Sequence, residues 1–463
     1  MDKQISAEDA ITREAVAPAG TEKLTIWTSL AWAFGSAGPF ILTNILASII
    51  LYYLIYEVKL EPSVAGMLVF AARMADVVLA PAIGLASDQT HSRWGRRRPY
   101  LLTAALLMTP AWLLMFNISP GDPLAGLWAL LGLLMITLCY SLFNIPHIAM
   151  ANDMTSEPGE RMHLMSMKTI FIMAGGMLGG LAPLVLQYAP AGQGYFYLSL
   201  CLAFACTAPM LICFFGTHKT RAIAPTPKLK LGEMFQGLTQ NGPFMAYAAG
   251  RLAAVIFAAG QTPVMLFFLQ ATMKLPLSSL AVFSTVAHVV ALVVAPMGVI
   301  VARRFGKSML RDLVIYVGLA FCLSFLFAGP EGAMVGLIVR AVAYGVVIGC
   351  WQLVSNAMAA DVIDYDYQLT GKRREGLFAA FFSFADKTAT AIGVLWVGVA
   401  LSMIGFDKNL APDQPQQPMV MNGLFVIMAI LPAIGYVVAW ISFKFYRLDP
   451  ARGIYPTPRV KSA

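Results

Sequence analysis

Charge is what this sequence has least of. Only 12% of its 463 residues are Asp, Glu, Lys or Arg, while 59% are hydrophobic. A soluble domain carries about a quarter charged residues. A chain this apolar cannot face water all round, which excludes an ordinary soluble globular protein and makes a lipid bilayer its natural solvent. Paired or clustered cysteines are also missing. Cys139, Cys201, Cys206, Cys213, Cys322 and Cys350 show no CxxC spacing and no His/Cys cluster, so zinc, haem and thiol redox motifs are excluded. They read as small buried apolar residues. The sequence has no GxxxxGK[ST], no HExxH and no GxSxG, so an ATP-driven pump and the common hydrolases lack their motifs. The expectation is a protein that is not an enzyme and carries no cofactor or metal. Residues 1–25 contain no short apolar core before a small-residue cleavage site, so the first apolar segment is expected to serve as its own insertion signal.

What is present is long hydrophobic runs. Crossing a bilayer as a helix takes roughly 20 apolar residues. Twelve stretches qualify, at about 26–54, 63–87, 99–117, 123–151, 164–188, 193–215, 241–270, 277–302, 312–329, 333–360, 376–404 and 420–444. The fold class expected is an all-α membrane protein of twelve spans. Pro39, Pro81, Pro146, Pro183 and Pro263 fall inside spans, which membrane helices tolerate where neighbours satisfy the freed carbonyls.

The net charge of +8 does not point to nucleic acid. Of the 32 Lys and Arg, 24 lie in the two tails and the even-numbered loops, three in the other loops (Lys59, Lys274, Lys408) and five within spans. That asymmetry is the positive-inside pattern. It implies cytoplasmic termini in a bacterial inner membrane, with lipids as neighbours. Loops are short except for the basic, proline-containing 216–240, which divides the chain into a tail (1–25), a half of six spans (26–215), the connector, a second half (241–444) and a tail (445–463). "SRWGRRR" at 92–98 follows span two and "ARRFGKS" at 302–308 follows span eight. The aromatic-Gly-basic echo at equivalent places suggests internal duplication, with a binding site near the midplane between the halves. "AGGMLGG" at 174–180 holds two overlapping GxxxG patterns, a spacing that lets helices pack closely.

An ionisable group at the centre of a membrane helix costs about 2.5–3.5 kcal/mol on insertion scales, so each needs a reason. Arg73 and Asp76 share a face of span two at i, i+3. They form either a structural salt bridge or a cation- or proton-binding acid tuned by its arginine. Lys387, in the middle of span eleven, faces either a central cavity or an acid on another helix, and Asp76 is the best candidate for that acid. Its neighbour Asp386 points elsewhere on the helix. Tyr140, Ser141 and Asn144 share one face of span four; they line a site, or Asn144 bonds carbonyls freed by Pro146. Lys168, near the start of span five, either snorkels or reaches a substrate. Ser383 lies one turn before Lys387. Asn44, Gln352 and Asn356 are further polar positions within spans, as are Arg251, Gln261, His288 and Arg340. Trp351 and Gln352 offer a ring face and an amide to a sugar, or the tryptophan simply packs. Beyond span ten, "ADVIDYDYQLTGKRREG" reads as a solvated loop, or as charges (Asp361, Asp364, Arg373, Arg374) that lock the cytoplasmic face together with Arg93, Arg96, Arg97 and Arg98. Asp88 and Asp153 are counter-charges for that gate.

Three strings carry a family resemblance. "ARMAD…PAIGLASDQTHSRWGRRRP", "NIPHIAMANDMT…ER" and "ADVIDYDYQLTGKRREG" resemble, in order and spacing over roughly 26–445, the glycoside–pentoside–hexuronide:cation symporters of the major facilitator superfamily. The resemblance implies two six-helix bundles, alternating access, and sugar or glycoside uptake coupled to sodium or protons by a single chain. It implies that Asp76 is the cation ligand of the second helix and that Ser141 and Asn144 stand at the fourth-helix hydroxyl and substrate-binding acid. Lys168 corresponds to the fifth-helix arginine with one deletion, and Ser383 and Lys387 to the eleventh-helix pair. The departures are an apolar stretch around Pro39 and Phe40 for the first-helix acid, Ala80 for the second acid of helix two, and Asn144 for the fourth-helix acid. Sodium prefers several hard oxygen ligands, so with one carboxylate remaining a proton fits better, and sodium is the second choice. The lost acids also open a lysolipid-like or other amphipathic solute, and a transport-dead assembly factor or sensor, as alternatives.

Overall fold

A computed structural model describes residues 24–155, 157–190, 192–218, 241–371, 374–410, 414, 416–446 and 448. Among these, twelve helices are long and apolar enough to cross a membrane. They are α1 (Ile26–Ser48), α2 (Pro62–Gln89), α3 (Arg98–Phe116), α4 (Ala125–Met154), α5 (Gly159–Tyr188), α6 (Gly194–Gly216), α7 (Gly242–Ala271), α8 (Ser279–Phe305), α9 (Lys307–Phe327), α10 (Ala333–Thr370), α11 (Glu375–Met403) and α12 (Pro418–Lys444). About two further turns, Ile50–Tyr56, extend α1. Starts and stops follow ordinary capping. Thr25 accepts from the Thr28 amide, Asn241 from the Phe244 amide, and proline opens α2, α3 and α12, where a missing N–H costs nothing.

The packing repeats with a shift of six helices. In the first half α1 packs on α5 and α6, α2 on α4, and α3 on α4 and α6; in the second, α7 packs on α11 and α12, α8 on α10, and α9 on α10 and α12. The halves meet through α2 with α11, α5 with α8, and α1 with α7. The first two seams exchange under the same shift and the third maps onto itself, so the halves are related by a pseudo-two-fold. The echoed sequence is a structural echo too. Gly95 and Gly306 both have φ near +94°, a backbone that L side chains avoid. The base after each glycine reaches an acid on the fourth helix of its half: Arg96 Nη2 to Asp153 at 2.7 Å and Lys307 Nζ to Asp361 at 2.6 Å.

The glycine seams set how closely the halves approach. The two GxxxG patterns of α5 serve two different partners. Gly175 and Gly179 lie against Ala37 and Asn44 of α1, whereas Gly176 and Gly180 lie against His288 and Ser284 of α8 in the other half. On the other seam Gly66 lies against Gly398.

Away from the arginine cluster, the halves are latched. Tyr52 donates to Gln270 Oε1 at 2.6 Å, Lys408 pairs with Glu61 at 2.7 Å, and Lys59 donates to the Lys408 carbonyl. Tyr52, Tyr56, Phe267 and Phe406 fill the space between with ring contacts of 5.2–5.7 Å. At the end bearing Arg93–Arg98, here the basic end, every described ion pair joins residues of the same half.

Three spans differ from the sequence expectation. α5 begins at Gly159 rather than 164. α10 continues to Thr370 instead of stopping near 360, so the segment expected to be a solvated loop is helix. Asp361, Val362, Tyr365 and Asp366 form one buried stripe along it, at the i, i+1, i+4, i+5 spacing of a helix face. α9 begins at Lys307 rather than 312, because Gly306 turns the chain directly into it.

Candidate functional site

The site centres on Asp76. Its carboxylate is 5% exposed and both oxygens are engaged. Oδ1 accepts from the Ser141 hydroxyl on α4, and Oδ2 receives Lys387 Nζ from α11 at 2.9 Å. Asp76 therefore ties its own half to the other. α2 brings it there along its seam with α11, where Gly66 lies against Gly398. α4 supplies Ser141 on its buried stripe with Thr137 and Phe143 nearby.

Arg73 does not pair with Asp76, although they share a helix face; the carboxylate is already committed to Lys387. The guanidinium lies beside Tyr140 and Asp76, and its Nε and Nη2 are closed off from solvent with no hydrogen-bond acceptor. Asn144 Nδ2 donates to the Tyr140 hydroxyl at 3.1 Å, so it does not serve the carbonyls around Pro146. Asp386 does point elsewhere. It holds Arg251 of α7 through two bonds of 2.8 and 2.6 Å. Arg251 Nη1 donates to the Tyr247 hydroxyl at 2.9 Å, and that hydroxyl meets Ser355 of α10. This second pair, with Arg251 12% and Asp386 34% exposed, knits α7, α10 and α11 and was not foreseen. The signal was available: Tyr247 and Arg251 stand at i, i+4, and Asp386 needed a partner other than Lys387.

The other polar candidates spread along the basic side of this plane. Lys387 is 23% exposed. Ser383, one turn toward the basic end on the same stripe, is exposed, as are Gln352 and Asn356, which bond each other at 3.0 Å. Gln352 and Asn356 follow Gly345 and Gly349, which pack on α8, along α10. Lys168 is partly buried on α5, on the stripe that carries Gly175 against α1. Trp351 is partly buried against the apolar core, and Asn44 packs on α5 at Gly179. Neither touches the Asp76 group. His288 Nδ1 donates to the Ser284 carbonyl, 2.8 Å away. Arg340 fastens α10 to Ser324, and Gln261 donates to the Met428 carbonyl in the π-helical turn of α12.

The charges at the basic end are brought together within each half, not across the halves. Asp153 receives Arg96 and Arg97, both at 2.7 Å, and Arg97 also reaches Asp88 at 3.1 Å. Burial lowers the Arg97 pKa from the usual arginine range; Asp153 and then Asp88 oppose that shift. Asp366 pairs with Arg374 at 2.6 Å. Arg98 is not in the ionic network. It donates to the Phe214 carbonyl at 2.7 Å and lies over the Phe214 ring, tying α3 to the end of α6. Arg93 is exposed over Trp94, and Asp364 is exposed. Arg373 lies outside the described residues. Among the described residues, no ion pair joins the two halves at this end.

These pairs differ in burial, and so in expected worth. Asp153→Asn breaks a pair buried on both sides, which costs about 3–5 kcal/mol. Asp88→Asn removes a carboxylate that is 47% exposed, a loss of at most about 1 kcal/mol. Thermal unfolding in detergent should show a large drop for the first variant and almost none for the second. Equal drops would mean that the two pairs do not differ as their burial requires.

The description "MFS/sugar transport protein" belongs to the family model that matches residues 31–450. A glucuronide carrier protein homolog of Escherichia coli (strain K12) is 28% identical over 398 residues, covering 83% of this chain and 84% of that one. The isoprimeverose transporter of Lactiplantibacillus pentosus is 26% identical over 406 residues, covering 84% and 82%. Among solved structures, the nucleoside transporter NupG superposes with a TM-score of 0.62 at 13% identity, covering 91% of this chain and all of that one. The repeat of six helices, the acid–lysine link between the halves and the match over nearly the whole length agree: the chain is an integral membrane transporter, not an enzyme, and belongs to the MFS/sugar transport protein family.

Proposed function

We propose that this protein takes up a small glycoside together with a proton, by alternating access. The single observation that carries the coupling is Asp76, a buried carboxylate held simultaneously by Ser141 of its own half and Lys387 of the other. A proton on Asp76 removes the charge that holds Lys387, which loosens the α2–α11 seam. Loss of the proton restores it. Coupling between the ion and the conformation is then a matter of one ion pair whose worth depends on protonation.

The donor set favours a proton over sodium. One carboxylate and one hydroxyl are in reach, and an ammonium already stands 2.9 Å from the carboxylate. Among the described residues no three His, Cys, Asp or Glu gather as cation ligands. Sodium would need more oxygens than that. The glycoside assignment draws on the family and on its relatives' solutes, with Asn144, Lys168, Ser383, Gln352 and Asn356 as the polar lining. The positive-inside pattern supports a basic end in the cytoplasm of a bacterial inner membrane; the latch of Tyr52 with Gln270 and Lys408 with Glu61 then stands at the outer end. The site lies within one chain, so the monomer suffices.

The test is transport in proteoliposomes loaded with a pH-sensitive dye. Mono- and disaccharides are added outside, with and without sodium. The expected result is acidification of the lumen with at least one glycoside in sodium-free buffer. Labelled uptake that requires sodium and moves no protons would overturn the coupling assignment. Silence across the panel, with uptake of a lysolipid, would overturn the glycoside.

A further inference from the structure

Three cations, Lys168, Lys387 and Arg73, lie inside spans, with Asp76 as the carboxylate beside two of them. From the basic ends of their helices, Lys168 lies at ~14 Å, Lys387 at ~18 Å and Arg73 at ~24 Å, at 1.5 Å per residue. Arg251 and Asp386 neutralise each other. Asp76 pairs with Lys387 and accepts from Ser141, with Arg73 beside it but not bonded to it. Lys168 has no ion-pair partner among the described residues, and Arg73 has two buried N–H groups with no acceptor. The polar groups close to Arg73 are bonded to other residues: Ser141 and Lys387 reach Asp76, and Asn144 reaches the Tyr140 hydroxyl. A buried, charged donor without an acceptor is costly and needs an explanation.

We propose that Arg73 is the recognition group for an oxyanion on the transported solute, a carboxylate or a phosphate ester, with Lys168 as the charge that draws it in from the basic side. The planar fork of an arginine matches either group through two parallel hydrogen bonds. This rests on the transport reading and narrows its solute. It also supplies a reason for coupling. Protonating Asp76 would leave three cations uncompensated in a low-dielectric cleft, facing Ser141 and Tyr140 of α4 and Lys387 of α11. The anion supplies the missing charge, so proton and solute each favour the other's binding.

The experiment is calorimetric binding to the purified chain in nanodiscs, using pairs that differ in charge. The pairs are 4-nitrophenyl β-D-glucuronide with 4-nitrophenyl β-D-glucoside, glucose 6-phosphate with glucose, and oleoyl lysophosphatidate with mono-oleoylglycerol. In at least one pair the acidic member should bind ten-fold or more tightly than its neutral counterpart. Arg73→Gln should bring that ratio to within about three-fold, and Arg73→Lys should keep part of it. Repeating the titration in buffers of different ionisation enthalpy should show a proton taken up with the anion and none with the neutral member. Neutral members that bind as well as acidic ones, no acidic member that binds, or a preference that survives Arg73→Gln would each overturn the inference. Should Arg73→Gln fail to fold, the wild-type ratios and Arg73→Lys still decide it. Proton-coupled transport of a neutral glycoside with no acidic preference removes the inference and leaves the transport reading standing. A preference confined to the lysophospholipid pair keeps the inference and removes the glycoside.

Discussion

Asp76→Asn is expected to abolish accumulation of solute against its gradient, by at least 100-fold, while the protein still reaches the membrane. Asparagine keeps the shape and can still accept from Ser141, but it cannot hold a proton or a negative charge. Lys387 then stands in the seam with no counter-charge. Leaving one member of a buried pair alone costs about 3–5 kcal/mol, so thermal stability in detergent should fall as well. Adding Lys387→Met should recover most of that stability, because removing both charges is often neutral or better. It should not recover accumulation. The two readouts separate a coupling residue from a structural one. If Asp76→Asn still concentrates solute, the coupling site is elsewhere. If stability is not recovered in the double variant, the ion pair is not what the lysine depends on.

Much of this site was legible in the sequence, because charge inside an apolar run is rare. Asp76 and Lys387 stood out for that reason, and scarcity alone made each the other's best partner. The pairing of Arg73 was not legible. Its i, i+3 position made Asp76 look like its mate, yet an interhelical lysine reached the carboxylate instead, and sequence spacing does not rank those competitors. The Asp386–Arg251–Tyr247–Ser355 network was missed for the same reason: its members lie on three helices. The extension of α10 was hidden by composition. Its three aspartates look like a loop until the ion pairs of Asp361 with Lys307 and Asp366 with Arg374 show how a helix can bury them. The glycine pairs of α5 were read as packing, and that is what they do. Their assignment to two partners, one in each half, needed the fold.

That second partner gives the other large effect. Gly180→Leu is expected to hold the halves apart at the end away from the arginine cluster and to reduce uptake more than ten-fold. A Cβ at Gly180 would stand 2.1 Å from Ser284 Oγ, and one at Gly176 would stand 2.2 Å from His288 Nε2. Neither neighbour can simply swing aside, because His288 is held at the Ser284 carbonyl and both are buried under α5. Overpacking a close seam costs about 1–3 kcal/mol, and only the conformation that closes this seam bears it. The cost therefore appears as a shifted equilibrium rather than as unfolding. Spin labels at Glu61→Cys and Lys408→Cys, in a background without the native cysteines, report the latch directly. In the parent the labels should be close; in Gly180→Leu the distance distribution should move outward, while the melting temperature changes little. Gly175→Ala is the control, since it crowds Ala37 within one half and should leave the latch distance unchanged. An unchanged distribution in Gly180→Leu with normal uptake would mean that α5 and α8 do not need their close approach to shut this end. The glycines would then be fillers of a seam that can widen without consequence.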